Sequence, residues 1–226
     1  MTLAQQSAYP FSLSFALNFA AMFHQFRREV QTAQAYTETS ISVATAQGFL
    51  FWRARGALLH GWALVHQGQA QEGIEQITQG LTAYRATGGE IGRPWMLMLL
   101  AEAHGTLGEP EAGLTMLTEA LALVDTTGER WYESEIYRHK GELLIQKNSD
   151  NQAEAETCFQ QAITIARSQQ AKSLQLRAAT SLARLWQQQG KRQEAHDLLA
   201  SVYTWFTEGF TTADLQDAKA LLDELV

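Results

Sequence analysis

A period of forty residues in small side chains constrains this chain more than any other feature. Ala33, Gly73, Gly113, Ala155 and Ala195 follow one another at steps of 40, 40, 42 and 40. Seven positions beyond each stand Ser40, Gly80, Ala120, Ala162 and Val202. Between the two, four positions past the anchor, stand Thr37, Ile77, Leu117, Phe159 and Leu199. Twelve positions before the anchor are Ala21, Gly61, Ala101 and Ala183, and an insertion at Asn148-Ser149-Asp150 moves the fourth equivalent to Gly141. Two antiparallel helices approach closely only where neither carries a bulky side chain at the crossing. A larger residue between two small ones then fills the neighbouring hole. A period of this length is the mark of stacked two-helix units.

The rest of the pattern agrees. From Gly113 to Val124, Leu114, Leu117, Leu121 and Val124 recur at spacings of three and four, one apolar stripe at helical period. No segment sustains the alternation of a strand. Breaks fall about twenty residues apart, at Gly48, Gly68, Gly88-Gly89, Gly108, Gly128, Asn148-Ser149-Asp150 and Gly190. Glycine suits the left-handed position that closes a helix. The reading is an all-α array forming a single domain over residues 1–226. Its five helix pairs span Phe11–Gln47, Gly48–Gly88, Gly89–Gly128, Glu129–Lys172 and Ser173–Gly209. A last helix over 211–226 starts at Thr212-Ala213-Asp214. It carries Leu215, Ala218, Leu221, Leu222 and Leu225 on one face, as the cap of a solenoid must.

This small–large–small register resembles the tetratricopeptide repeat (TPR) over nearly the whole chain. That resemblance implies helix-turn-helix units stacked into a right-handed superhelical solenoid. The units here are longer than the family's, which are about 34 residues, and some of its large positions hold small residues, for example Ala57 and Ala179. Four further stretches are more specific: Gly128-Glu129-Arg130-Trp131, Tyr137 to Leu144, Ala178 to Trp186, and Tyr203 to Phe210. They resemble the C-terminal region of large bacterial signalling proteins, in which a class III adenylate or guanylate cyclase domain and a signalling ATPase domain precede a TPR-like array. The resemblance implies a regulatory or scaffolding array that restrains those domains of the same polypeptide. It assigns no catalytic residue. The opening Met1-Thr2-Leu3 does not read as the natural start of a repeat array, so a fragment of a longer protein is expected.

Composition narrows the function. The chain is 46% hydrophobic and only 18% charged, too apolar for disorder. A net charge of −7 argues against a general nucleic-acid binder, which needs a basic footprint. The single Cys158 precludes an intramolecular disulfide and fits a reducing, cytoplasmic setting. Met1 to Pro10 has no cationic segment followed by a long apolar one, so no signal peptide is expected, and the apolar run Trp95–Ala101 is too short to span a membrane.

Chemistry-bearing motifs are scarce. His24, His60, His66, His104, His139 and His196 form no His-x-x-x-His pair, and Cys158 has no cysteine partner, so neither a metal nor a cofactor is expected. Cys158 beside Phe159 sits on a core register and reads as a packed thiol. Glu133 and Glu135 could do acid–base work, but acidic pairs on helices are usually solvated. No phosphate-binding glycine loop and no Gly-x-Ser-x-Gly elbow is present. The expectation is a non-catalytic module.

In TPR arrays the first helix of each unit lines a concave groove. Counted from the small residue of that helix, the groove positions are Phe15, Asn18, Met22 and Gln25; Arg55, Leu58, Trp62 and Val65; and Trp95, Met98, Glu102 and Gly105. They continue as Glu135, Arg138, Glu142 and Ile145, then Arg177, Thr180, Arg184 and Gln187. Trp62, Trp95 and Met98 could accept a hydrophobic side chain of a peptide, or only pack between units. Arg138, Arg177 and Arg184 could hold a carboxylate or phosphate, or only pair with Glu135 and Glu142. Phe11, Phe15, Phe19, Phe23 and Phe26 form an aromatic stripe on the first helix. It is either core or an exposed interface for an upstream domain or a second copy of this chain. The leading functional expectation is a protein or peptide bound in the groove. A small-molecule sensor and a self-associating array are the rivals.

Overall fold

The computed structural model describes residues 9–226. Met1-Thr2-Leu3, and all but the end of the Met1–Pro10 segment, lie outside the described residues. Within them all regular structure is helical, in eleven α-helices and one 3₁₀ turn. In order these are α1 (Pro10–Phe26), α2 (Val30–Ala46), α3 (Leu50–His66), α4 (Ala70–Ala86), α5 (Arg93–Leu107) and α6 (Pro110–Thr127). After them come α7 (Glu133–Lys147), the 3₁₀ turn Ser149–Asn151, α8 (Gln152–Ser168), α9 (Lys172–Gln188), α10 (Arg192–Tyr203) and α11 (Ala213–Leu225).

The described helices fall two to each expected span, α1 and α2 through α9 and α10 in chain order, with α11 as the additional helix. Most helices run 15 to 18 residues, as the spacing predicts, but α10 stops after 12 at Tyr203. The glycine stops behave as expected: Gly68, for example, closes α3 with φ of +85°. At two of the stops without glycine another residue takes the left-handed conformation. Arg28 and Gln170 adopt φ of 60° and 56° at the α1–α2 and α8–α9 turns, a conformation that L residues adopt at a cost of about 1–2 kcal/mol. That is why the glycine pattern shows no break at either place.

The contacts divide the chain into two compact units, the first ending at Glu109 and the second starting at Pro110. The division falls between α5 and α6, the helices of the third sequence repeat. In unit 1 the first helices α1, α3 and α5 touch in succession, with α2 packed against α1 and α3, and α4 packed against α3 and α5. In unit 2, α7, α9 and α11 touch in succession, α8 packs against α7 and α9, α10 packs against α9 and α11, and α6 packs on α7.

The forty-residue register is the core of both units. Ala33, Ala155 and Ala195 are fully buried, as are Ile77, Leu117, Leu199, Ala120 and Ala162. In unit 1, a Cβ added to Gly73 on α4 would lie 2.6 Å from the Gly61 carbonyl oxygen of α3 and 2.4 Å from a Val65 methyl carbon. A Cβ at Gly61 would lie 2.8 Å from the Gly73 carbonyl oxygen. The two backbones touch at that crossing. In unit 2, Phe159 of α8 lies where a Cβ at Gly141 of α7 would be, 2.5 Å away. The large residue fills the hole that the small one leaves.

The last helix caps unit 2 through the expected face, since Leu215, Ala218, Leu221, Leu222 and Leu225 are all buried. Its start differs in detail. Thr212 holds the extended N-cap conformation without a side-chain cap bond, and its hydroxyl donates to the Gly209 carbonyl at 2.8 Å. No described helix is long and apolar enough to cross a membrane.

Candidate functional site

In unit 1 most of the expected groove residues are packing residues. Leu58, Trp62, Val65, Trp95 and Met98 are each 2% exposed or less, and Asn18 and Gln25 are buried too. Asn18 donates to the Ser14 carbonyl at 3.1 Å, the Ser40 hydroxyl at 2.5 Å and the Trp52 carbonyl at 3.3 Å, tying α1 to α2 and α3. Arg55 of α3 sits among rings, with its guanidinium carbon 5.8 Å from the Phe19 centroid, 5.9 Å from Trp95 and 6.0 Å from Tyr84. Nη2 also lies 3.8 Å from the Met22 sulfur. Aromatic quadrupoles and a soft sulfur suit a cation in a half-buried place. Trp62 and Glu102 do meet, forty residues apart: the indole N–H donates to Glu102 Oε2 at 3.2 Å. His66 Nε2 lies 3.3 Å from Glu102 Oε1, so one carboxylate gathers the C-terminal ends of α3 and α5.

Unit 2 is built differently, around a buried carboxylate. Glu135 of α7 is 1% exposed. Arg138, one turn on, grips it in a two-pronged fork, Nε to Oε1 at 2.8 Å and Nη2 to Oε2 at 2.9 Å. Arg177 of α9 reaches the same carboxylate with Nη1 at 3.3 Å and places Nε 2.8 Å from Asp214 Oδ2 on α11. Arg138 Nη1 also donates to Glu142 Oε1 at 2.6 Å, and the Ser181 hydroxyl of α9 donates to that same oxygen at 2.9 Å. The guanidinium of Arg138 abuts His139 as well, Nη2 to Nε2 at 2.7 Å. Three helices are therefore laced by one polar network.

Its electrostatics follow from that geometry. Burial pushes the Glu135 carboxyl up, but Arg138 and Arg177 outweigh it and hold the pKa down at about 2. Glu142 is likewise raised by burial and lowered further by Arg138, for a net shift down. Burial disfavours the Arg177 charge, yet Glu135 and its other neighbours more than compensate and leave the pKa raised. Cys158 is shifted the other way: burial raises its thiol pKa, so it stays protonated in the core.

The remaining expected positions separate. Thr180 is buried and its hydroxyl donates back to the Leu176 carbonyl at 2.8 Å. Arg184 is exposed on α9 and lines an open cleft of about 220 Å³ with Gln187, Gln188, Asp217, Ala220, Leu221 and Glu224. Gln187 donates to Glu224 Oε2 at 3.2 Å across the same cleft.

The structure thus joins Glu135, Arg138, Glu142 and Arg177, and separately Trp62 and Glu102. It leaves Arg184 on the surface. Sequence reasoning missed Asp214, Ser181 and His139. The missing signal was α11 as a sixth first helix: Arg177 to Asp214 and Gln187 to Glu224 are both 37 residues apart, because α10 is short. A strict step of forty points from Arg177 to Asp217 instead. No group of three or more His, Cys, Asp or Glu side chains among the described residues could hold a metal ion.

No family model matches the chain, and no curated protein matches it. Solved structures do. A Rap protein complexed with competence and sporulation factor superposes with a TM-score of 0.75 at 16% identity, over 98% of this chain and 66% of that one. A Podosopora anserina protein of nearly identical TPR-like repeats gives 0.56 at 19% identity, over 96% of this chain and 98% of that one. PilF of Pseudomonas aeruginosa gives 0.59 at 13% identity, over 96% and 90%. The fold is therefore that of a TPR-like repeat array.

Proposed function

We propose that this chain is a non-catalytic interaction module that engages a polypeptide through the first helices of its repeats, with Arg184 as the point that reads charge. One observation carries the reading. Of the three arginines in the second unit's groove positions, Arg138 and Arg177 are committed to Glu135, Glu142 and Asp214, whereas Arg184 has no hydrogen bond or ion pair among the described residues and opens on a cleft. A guanidinium offers a planar fork that matches a carboxylate. The rigid network behind it holds α9 against α7 and α11, so the fork is presented from a fixed support. The complexed state of the similar Rap protein supports a binding role for such an array.

The finer reading is a regulatory array of a bacterial signalling protein, acting on ATPase and cyclase domains of its own polypeptide. It rests on the resemblance of the four sequence stretches, from Gly128-Glu129-Arg130-Trp131 to Tyr203–Phe210.

A peptide array displaying acid-bearing and neutral sequences tests the binding role. The wild-type chain is expected to retain acid-bearing peptides, and added salt to weaken that retention, because an exposed ion pair is screened over about 8–10 Å. Arg184→Glu should abolish it with helicity unchanged. Retention that is indifferent to Arg184→Glu, or absent in the wild type, defeats the reading.

A further inference from the structure

Helix α1 presents an aromatic ridge to solvent. Phe11, Phe15, Phe19 and Phe23, four residues apart, keep between 41% and 56% of their surface exposed. Their inner edges are anchored: Phe11 and Phe15 pack edge-on to Trp52 at 5.8 and 5.5 Å, and Phe15 lies 4.5 Å from Phe19. The rings are therefore held in one geometry. Beside the ridge runs a second row at the same spacing, Ser12, Ala16 and Ala20, all small and none of them buried. A ridge of large residues next to a groove of small ones is the relief that 4–4 helix packing uses, at a crossing of about −50°.

Independently of the groove reading, we infer that this face binds a second copy of the same chain, α1 against α1 about a two-fold axis. Three observations choose that occupant. The ridge is symmetric about its middle. An axis between Phe15 and Phe19 sets Phe15 beside Phe19 of the partner subunit, and the low row of Ser12, Ala16 and Ala20 leaves room for the two helices to approach. Such self-complementarity is what an isologous interface requires. Second, α1 itself contains no Asp, Glu, Lys or Arg, so the two facing helices bring no like charges of their own together although the chain as a whole carries −7. The nearest cations are held by their own neighbours: Arg27 lies 5.6 Å from the Phe23 centroid and donates to Glu29, and Arg55 lies among Phe19, Tyr84 and Trp95. Third, the size suits a reversible dimer. Four half-exposed phenylalanines and the flanking small residues amount to roughly 500 Å² per copy, at about 150–250 Å² for a whole aromatic side chain. The pair would bury about 1,000 Å², the lower limit of a specific interface.

Light scattering and sedimentation of the full chain over a range of concentrations test this. The wild type is expected to rise from 25.2 kDa toward twice that mass as concentration increases. Phe15→Glu with Phe19→Glu should hold it at the single mass, because the axis places carboxylates face to face. Phe15→Lys with Phe19→Lys should do the same, and an equal mixture of the two variants should recover the double mass. A chain carrying Phe15→Glu and Phe19→Lys should dimerise with itself, since each acid then faces a base; a parallel pairing would set like charges together and forbid it. Circular dichroism checks that helicity is kept. If the Glu variant loses it, Phe11→Ser with Phe23→Ser, at the two most exposed rings, decides on the same criterion. A wild type at single mass at every concentration overturns the inference and leaves the ridge to an upstream segment or another protein. A dimer indifferent to the folded variants overturns it too.

Discussion

At Gly73 a single methyl group separates two competing effects. Alanine is the better helix former by about 1 kcal/mol, so on propensity alone Gly73→Ala would stabilise α4. The added carbon, however, meets the Gly61 carbonyl oxygen and a Val65 methyl at 2.6 and 2.4 Å. Overpacking of that kind costs about 1–3 kcal/mol, and here one obstacle is backbone that cannot rotate away. The net expectation is destabilisation of about 1–2 kcal/mol, seen as a lower urea midpoint with an unchanged slope. The same logic explains why Gly141 faces Phe159: the ring needs the space that a Cβ would take.

At the level of elements, the buried carboxylate of Glu135 connects α7 to α9, and Arg177 extends the connection to α11. Removing one partner from a buried ion network leaves the others desolvated and costs about 3–5 kcal/mol. Glu135→Gln is therefore expected to destabilise unit 2 by that order at neutral pH. The pH dependence has a definite sign. The Glu135 pKa in the fold, about 2, lies below its ordinary 4.5, so the folded state favours the ionised form. Its contribution is complete above about 4.5 and is lost as pH falls toward 2. Unfolding followed at a series of pH values should show the wild type and Glu135→Gln converging across that window. A gap that stays constant would assign the stability to packing rather than to charge.

For the molecule as a whole, damage to one of the two units should have local consequences, because within each unit a helix packs only against its near neighbours. Helix α11 buries Leu215, Ala218, Leu221, Leu222 and Leu225 against α9 and α10. Truncation after Phe210 would expose their apolar partners and remove Asp214 from Arg177. Hydrogen exchange should then accelerate in α9 and α10 and stay unchanged in α1 to α4. An increase throughout the chain would show that the two units unfold as one.

Helix pairing within each unit was legible in the sequence because it rests on a repeated local rule. Small residues at Ala33, Gly73, Ala155 and Ala195 mark where helices must touch, and glycine at Gly48 or Gly68 marks where they stop, since only sterics are involved. The same rule failed where another residue paid the conformational cost, at Arg28 and Gln170. It also failed where the period shortened, which hid Asp214 behind a 37-residue step. Of the candidate site, the expected groove positions fall on α1, α3, α5, α7 and α9, and spacing alone does not rank their residues. Whether Trp62 and Trp95 face a ligand or a neighbouring helix, and whether Arg138, Arg177 or Arg184 is the available cation, depends on side chains that are distant in sequence. So does the exposure of Phe11 to Phe23. Spacing along one helix determines which residues share a face. Only the assembled structure decides which faces are covered, because burial and ion pairing are set by what the other helices bring to that point in space.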